Sequence, residues 1–181
     1  MKNAEYEDKI AVMQWGDLQA LFPQVVVRAT PGWPPGKALE YLVPRMFELD
    51  GAKVRWPYET KLHGQLVEQI DGAVVAGGLH CLLECKNEKS PLAIAPIAKM
   101  RNQLLRRPAQ SVGLIFSMSG YTDPAQLLSG YLGGQTILLW HPQEVELAVT
   151  KRKIIPLLEA KYRACVEDGI HDVDTTLLGI L

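Results

Sequence analysis

The sequence predicts an α/β protein, a mixed sheet sandwiched between helices. Three observations carry that prediction. Val112-Gly113-Leu114-Ile115-Phe116 and Thr136 to Trp140 are apolar runs of strand length, of the kind covered on both faces. Leu39, Leu42, Val43, Met46 and Phe47 instead recur at i, i+3, i+4, i+7 and i+8, the stripe of a helix laid on a core. Gly77-Gly78 joins two further apolar segments by so short a link that they must pair antiparallel. The predicted order is α-β-β-β-α-β-α-β, with further helices at the termini.

Along the chain, Asp17-Leu18-Gln19-Ala20-Leu21-Phe22 reads as a short helix and Val25-Val26-Val27 as a short strand. Pro31-Gly32-Trp33-Pro34-Pro35-Gly36 breaks the chain and starts the striped helix, since proline suits a first helical turn. Pro44 inside that helix leaves the Glu40 carbonyl without its helical donor, so a kink is expected there. Gly51 ends the helix. Ala52 to Trp56 is a short strand, Leu66 to Val75 a second and Leu79 to Lys86 a third. Leu92 to Arg107 is a helix, residues 112–116 a strand, and Asp123-Pro124 the cap and first turn of a helix reaching Leu132. Thr136 to Trp140 follows as a strand. Pro142 opens a short helix, and Ile154 to Val166 forms a longer one with Leu158, Tyr162 and Cys165 on one face.

A chain of 181 residues can bury a core without staples. A single domain over 1–181 is expected, with an N-terminal extension over 1–30, a core over 31–150 and a C-terminal helix and tail over 151–181. Hydrophobic content of 48% with 22% charged residues excludes a disordered or fibrous chain. The net charge of −1 gives no global attraction to a polyanion, so a nucleic-acid partner has to be met by local patches. Two exist: Lys99, Arg101, Arg106 and Arg107, and the run Lys151-Arg152-Lys153. Cys81, Cys85 and Cys165 are odd in number, and the first two share a strand face. They read as small buried hydrophobes in a reducing compartment. No segment reaches transmembrane length, and Met1-Lys2-Asn3-Ala4-Glu5 has no apolar signal core. A cytoplasmic protein with no membrane partner is expected.

Chemistry concentrates where the third strand ends. Side chains alternate along His80 to Lys86, so Glu84 and Lys86 share a face while Cys85 points into the core. Asp71 stands 13 positions before Glu84, on the neighbouring strand of the hairpin. Two carboxylates and an ammonium so placed can hold a divalent cation beside a phosphate. Magnesium suits such a set because it prefers hard oxygen donors and keeps several waters. The plainer readings are an exposed Glu84–Lys86 pair at a strand end and an Asp71-Gly72 turn.

Five segments carry a family resemblance: Gly36-Lys37-Ala38-Leu39-Glu40, Phe47-Glu48-Leu49-Asp50-Gly51, Ile70-Asp71-Gly72, Leu83-Glu84-Cys85-Lys86, and Gly113 to Tyr121 followed by the Asp123 helix. With them, residues 30 to 150 resemble the PD-(D/E)XK nuclease superfamily, the restriction endonuclease-like fold, and within it the Mrr-type restriction endonucleases. One departure is that Ile70, not proline, precedes Asp71. The resemblance implies an αβββαβ core with a mixed central sheet and extra terminal helices. It implies a metal-dependent DNA endonuclease that uses Mg2+, with Mn2+ as substitute, and leaves a 5′-phosphate and a 3′-hydroxyl. Asp71 and Glu84 would then be metal ligands, joined by the backbone carbonyl of Cys85. Lys86 would orient the attacking water, and Glu40 would complete the shell. Gln69, Lys89, Lys99, Arg101, Gln103, Arg106 and Arg107 are the candidates for contact with DNA. Room is left for a homodimer and for a larger defence or repair complex. Two alternatives stay open: a catalytically silent DNA-binding or accessory protein on the same fold, and a Holliday-junction resolvase.

Overall fold

The structure, a computed structural model, describes residues 3–56, 58–131 and 134–181. Three helices come first: α1 (Asn3–Ala11), α2 (Trp15–Val26) and α3 (Lys37–Leu49). Five strands follow: β1 (Lys53–Arg55), β2 (Tyr58–Leu62), β3 (Gln65–Ile70), β4 (Gly72–Ala76) and β5 (Leu79–Lys86). The remainder alternates as α4 (Ile94–Leu104), β6 (Ser111–Ser117), α5 (Asp123–Tyr131), β7 (Thr136–Trp140), α6 (Pro142–Lys151) and α7 (Ile155–Asp168). A 3-10 turn at Thr175–Leu177 closes the tail.

The main sheet has five strands in the order β1-β4-β5-β6-β7. β1, β4 and β5 pair antiparallel, whereas β5, β6 and β7 run parallel. The mixed sheet flanked by helices is the architecture the sequence predicts. Read as α3, β1, β4, β5, α4, β6, its order is αβββαβ and is consistent with a restriction endonuclease-like core. No helix among the described residues is long and apolar enough to cross a membrane.

Strand alternation sorts the core into two halves. Cys81, Leu83 and Cys85 of β5 pack with Phe47 of α3, Phe116 of β6 and Trp140 of β7. Phe116 stacks on Trp140 at 4.9 Å between centroids and meets Phe47 edge-on at 6.5 Å. Leu82, Ile115, Ile137 and Leu139 face the other way, onto Ile97 and Met100 of α4. Gly113 lets α4 settle on β6: a Cβ there would lie 2.6 Å from Met100 Cγ and 3.0 Å from its Sδ. Gly113→Ala is expected to cost about 1–3 kcal/mol of stability, read by chemical denaturation, because Met100 is fully buried and has little room to retreat.

Two expectations are corrected. Val25-Val26-Val27 is not a strand; α2 runs through Val26, and Val27 is its C-cap. Leu18, Leu21, Phe22 and Val25 bury one stripe at helical spacing, which overrides the β-branched preference of the valines. Leu66 to Val75 is not one strand but two, β3 and β4, with Asp71 at the break. β4 stays in the main sheet, while β3 pairs with β2 as a separate hairpin. That hairpin turns at His63-Gly64, both at positive φ (50° and 77°), the geometry of a tight two-residue turn. The helix expected to reach Leu132 ends at Tyr131 in the structure; Leu132, like Met1 and Lys2, lies outside the described residues. α3 continues through Pro44 to Leu49.

β3 leaves the sheet because α4 holds it. Ile70 is buried with Leu82, Leu92 and Ile97, and Glu68 is gripped by Arg106 and Arg107 just beyond the end of α4. Burial alone would push the Glu68 carboxyl upward, but the hydrogen bonds and charges of Arg107 and Arg106 outweigh it and hold it below its usual value of 4.5. A depressed carboxylate stabilises the fold fully above its unfolded value and loses that contribution as the pH falls through the folded value. Glu68→Gln is expected to cost about 1–3 kcal/mol at neutral pH and nearly nothing in acid. Hydrogen exchange should show β2 and β3 losing protection ahead of the main sheet.

The tail after α7 is tied back by buried polar groups. Lys161, fully buried, donates to the Val173 carbonyl and pairs with Glu144 at 2.9 Å. Glu144 also accepts from the Thr175 amide (3.0 Å) and hydroxyl (2.7 Å). His171 lies along the outer margin of β7: its carbonyl accepts the Leu139 N–H, and its ring Nδ1 stands 3.2 Å from the Ile137 carbonyl oxygen. A carbonyl only accepts, so that nitrogen carries the proton.

Candidate active site

The β4–β5 ladder stops at Gly72 opposite Leu83, so Glu84, Cys85 and Lys86 extend beyond it, paired on the other side with Ile115, Phe116 and Ser117 of β6. Asp71 is the next residue along from that last pair. Its Oδ2 accepts the N–H of Cys85 at 2.7 Å, capping a main-chain donor at the point where β3 departs. The break in the strand and the placement of this carboxylate are therefore one structural event.

Glu84 is 1% exposed and faces α4. Lys86 Nζ, two residues on along the same face, stands 2.7 Å from its Oε1. Lys99 Nζ, from α4, lies 2.8 and 2.7 Å from its two oxygens. Glu40 enters from the first turn of α3 and pairs with Lys37. Cys85 points into the opposite half of the core, as strand alternation requires.

These groups sense one another electrostatically. Burial, then the negative charges of Glu84 and Glu40, raise the Asp71 carboxyl from 3.8 to about 6; the Cys85 N–H and the Lys86 charge oppose the rise. Burial disfavours the Lys86 ammonium, yet its hydrogen bond to Glu84 and the charges of Glu84, Asp71 and Glu40 prevail and raise its pKa. Lys86 is thus held in its charged form. Burial, reinforced by the same three acids, pushes the Cys85 thiol far up, so it stays protonated.

Asp71, Glu84, Glu40 and Lys86 are thus brought together from three elements. Their donors are hard oxygens, and a divalent cation would offset both the burial and the neighbouring negative charges that lift Asp71. Among the described residues, no group of three or more His, Cys, Asp and Glu side chains is spaced to hold a metal ion. The set fits magnesium as a site with two carboxylates and a backbone carbonyl, the rest of the shell being water and substrate.

The expected DNA contacts are placed differently. Gln69, Lys89 and Arg101 are exposed. Arg106 and Arg107 are engaged on Glu68, and Lys99 on Glu84. Gln103 is 2% exposed and lines the hollow beside β3 together with Lys99. Lys99 as a partner of Glu84 is not readable in the sequence, since the two lie on different elements. Asn102 was legible only as one face of α4 with Lys99 and Arg106, at i+3 and i+7.

No protein-family model matches the sequence, nor does any curated protein. Solved structures that resemble the fold include a protein of unknown function, AF1548, with TM-score 0.48, 16% identity, and coverage of 72% of this chain and 77% of that one. Protein VC1899 from Vibrio cholerae aligns with TM-score 0.49 and 19% identity, over 64% of this chain and 32% of that one. The MspJI restriction endonuclease, in complex with a 27-mer oligonucleotide, aligns with TM-score 0.39 and 17% identity, over 87% of this chain and 36% of its own. This chain therefore spans about a third of the latter two.

Proposed function

We propose that the chain is a divalent-metal-dependent DNA endonuclease of the PD-(D/E)XK type, akin to the Mrr-type enzymes. The observation that supports this best is that Asp71 accepts the Cys85 N–H, one residue from Glu84, where β4 ends, while Lys86 pairs with Glu84 on the same face of β5. Asp71, Glu84 and the Cys85 carbonyl would hold Mg2+, or Mn2+ in its place, with Glu40 adding negative charge from α3. The bound ion supplies charge neutralisation at the phosphate and lowers the pKa of water. Hydrolysis forms a bond from a water oxygen to phosphorus and breaks the bond from phosphorus to the 3′ oxygen, which takes up a proton. Charge then grows on the phosphoryl oxygens and on the leaving oxygen. Lys86, kept cationic by its neighbours, is positioned to offset that charge, and its place is fixed in advance by Glu84. The near-neutral net charge leaves target recognition to local surfaces, a second copy or a larger complex.

A second reading, a catalytically silent DNA-binding or accessory protein, is favoured by one observation. Both oxygens of Glu84 are occupied by ammonium groups, those of Lys86 and Lys99. Incubation of purified protein with supercoiled plasmid, linear duplex and four-way junctions separates these readings. Nicking with Mg2+ or Mn2+ and none in EDTA supports the endonuclease, and a strong preference for junctions makes it a resolvase. Failure to cut any substrate, with no metal binding in calorimetry, leaves the silent protein.

A further inference from the structure

We propose that the hollow between β3 and α4 receives a single unstacked nucleobase of the substrate, read on its edge by carboxamide side chains. The inference rests on the nucleic-acid reading above and gives it a specificity pocket. Val67, Glu68 and Gln69 form one wall; Lys99, Asn102 and Gln103 of α4, with Arg106 just beyond its end, form the other. Lys99 also touches Glu84, so the hollow opens directly beside the candidate reactive acids.

The chemistry of the lining selects the occupant. Both cations are already matched, Lys99 by Glu84 and Arg106 by Glu68. What remains is amide chemistry. Gln103 is 2% exposed, and both its Oε1 and its Nε2 lack a hydrogen-bond partner. Leaving a buried amide unpaired is costly, and buried polar groups are nearly always satisfied. A phosphate only accepts and would leave Oε1 unpaired. A metal ion would use Oε1 and leave the amino group unpaired. A nucleobase edge offers a donor and an acceptor side by side, and Gln and Asn pair with adenine in that bidentate way. Gln103 lines the hollow, and its terminal torsion, which joins an sp3 to an sp2 carbon, turns readily, so either its oxygen or its amino group can be the one presented there. Asn102 and Gln69 flank it from the two walls, and Val67, 53% exposed, supplies an apolar surface for the face of the base. A base reaches such a hollow from a single strand or by leaving the duplex stack. The geometry also gives the hairpin a purpose: Glu68, locked to Arg106 and Arg107, sets the width of the hollow.

The test is fluorescence anisotropy with short labelled homopolymers of dA, dC, dG and dT, in EDTA so that no cleavage intervenes. Wild-type protein is expected to bind one homopolymer at least about tenfold more tightly than the weakest. Asn102→Leu and Gln103→Leu should each bring all of them within about threefold of one another. Gln103→Leu should melt no lower than wild type, since an apolar isostere replaces an unpaired amide. Equal binding of the homopolymers by wild type, no binding of any, or a preference that survives both substitutions overturns the inference. Plasmid cleavage with magnesium is scored separately. Cutting without base preference removes the pocket and leaves the endonuclease; base preference without cutting does the reverse.

Discussion

Glu84→Gln is expected to lower metal-dependent DNA cleavage by at least about a hundredfold, measured under single-turnover conditions with saturating magnesium. Glutamine keeps the volume and one acceptor oxygen but removes the negative charge that would bind the cation. The fold should survive. Lys86 and Lys99, the two partners of Glu84, have side chains 29% and 47% exposed, so both can turn toward water once the carboxylate is gone. Circular dichroism should therefore stay native while activity vanishes. Lys86→Ala should give the same loss of cleavage by a different route, since it removes the cation beside the phosphate and leaves both carboxylates in place. If either purified variant cuts as fast as wild type, the assignment of these residues is wrong.

Asp71→Asn is expected to abolish cleavage and, in EDTA, to raise stability. The Asp71 carboxyl titrates near 6 in the folded protein instead of 3.8, so its ionised form is disfavoured by folding. An acid with a raised folded value contributes fully below the unfolded value and costs increasingly as the pH climbs through the folded one. The penalty is complete above about pH 6 and absent below about pH 4. A shift from 3.8 to about 6 corresponds to about 3 kcal/mol as an upper bound. Asparagine carries no charge and can still accept the Cys85 N–H. The variant should therefore melt several degrees above wild type at pH 8, with the gap closing as the pH approaches 4. A gap that widens in acid, or a variant less stable at pH 8, would show that repulsion among these acids is not what the fold bears at this point.

The sequence made the parallel half of the sheet legible because its strands are short apolar runs buried on both faces. β5 is read to the residue, Leu79 to Lys86, and β7 likewise, Thr136 to Trp140. The Glu84–Lys86 face and the inward Cys85 followed from alternation alone. Three features were out of reach. Asp71-Gly72 reads locally as a turn, but that β3 leaves the sheet there depends also on the distant grip of Arg106 and Arg107 on Glu68. α1 shows only Tyr6 and Ile10 buried, too thin a stripe to stand out among its polar neighbours. The Lys99–Glu84 pair joins a helix to a strand 15 residues away, a distance over which no periodicity speaks. Each of these is a tertiary choice imposed on a segment whose local pattern permits something else.

The small role of His171 has a larger consequence. By meeting both the Ile137 carbonyl and the Leu139 amide, it stands in for an absent sixth strand and denies that flank to any foreign backbone. The opposite flank is β1, only three residues long, with Lys53 and Arg55 at its two ends. Neither border offers a template for strand-by-strand polymer growth.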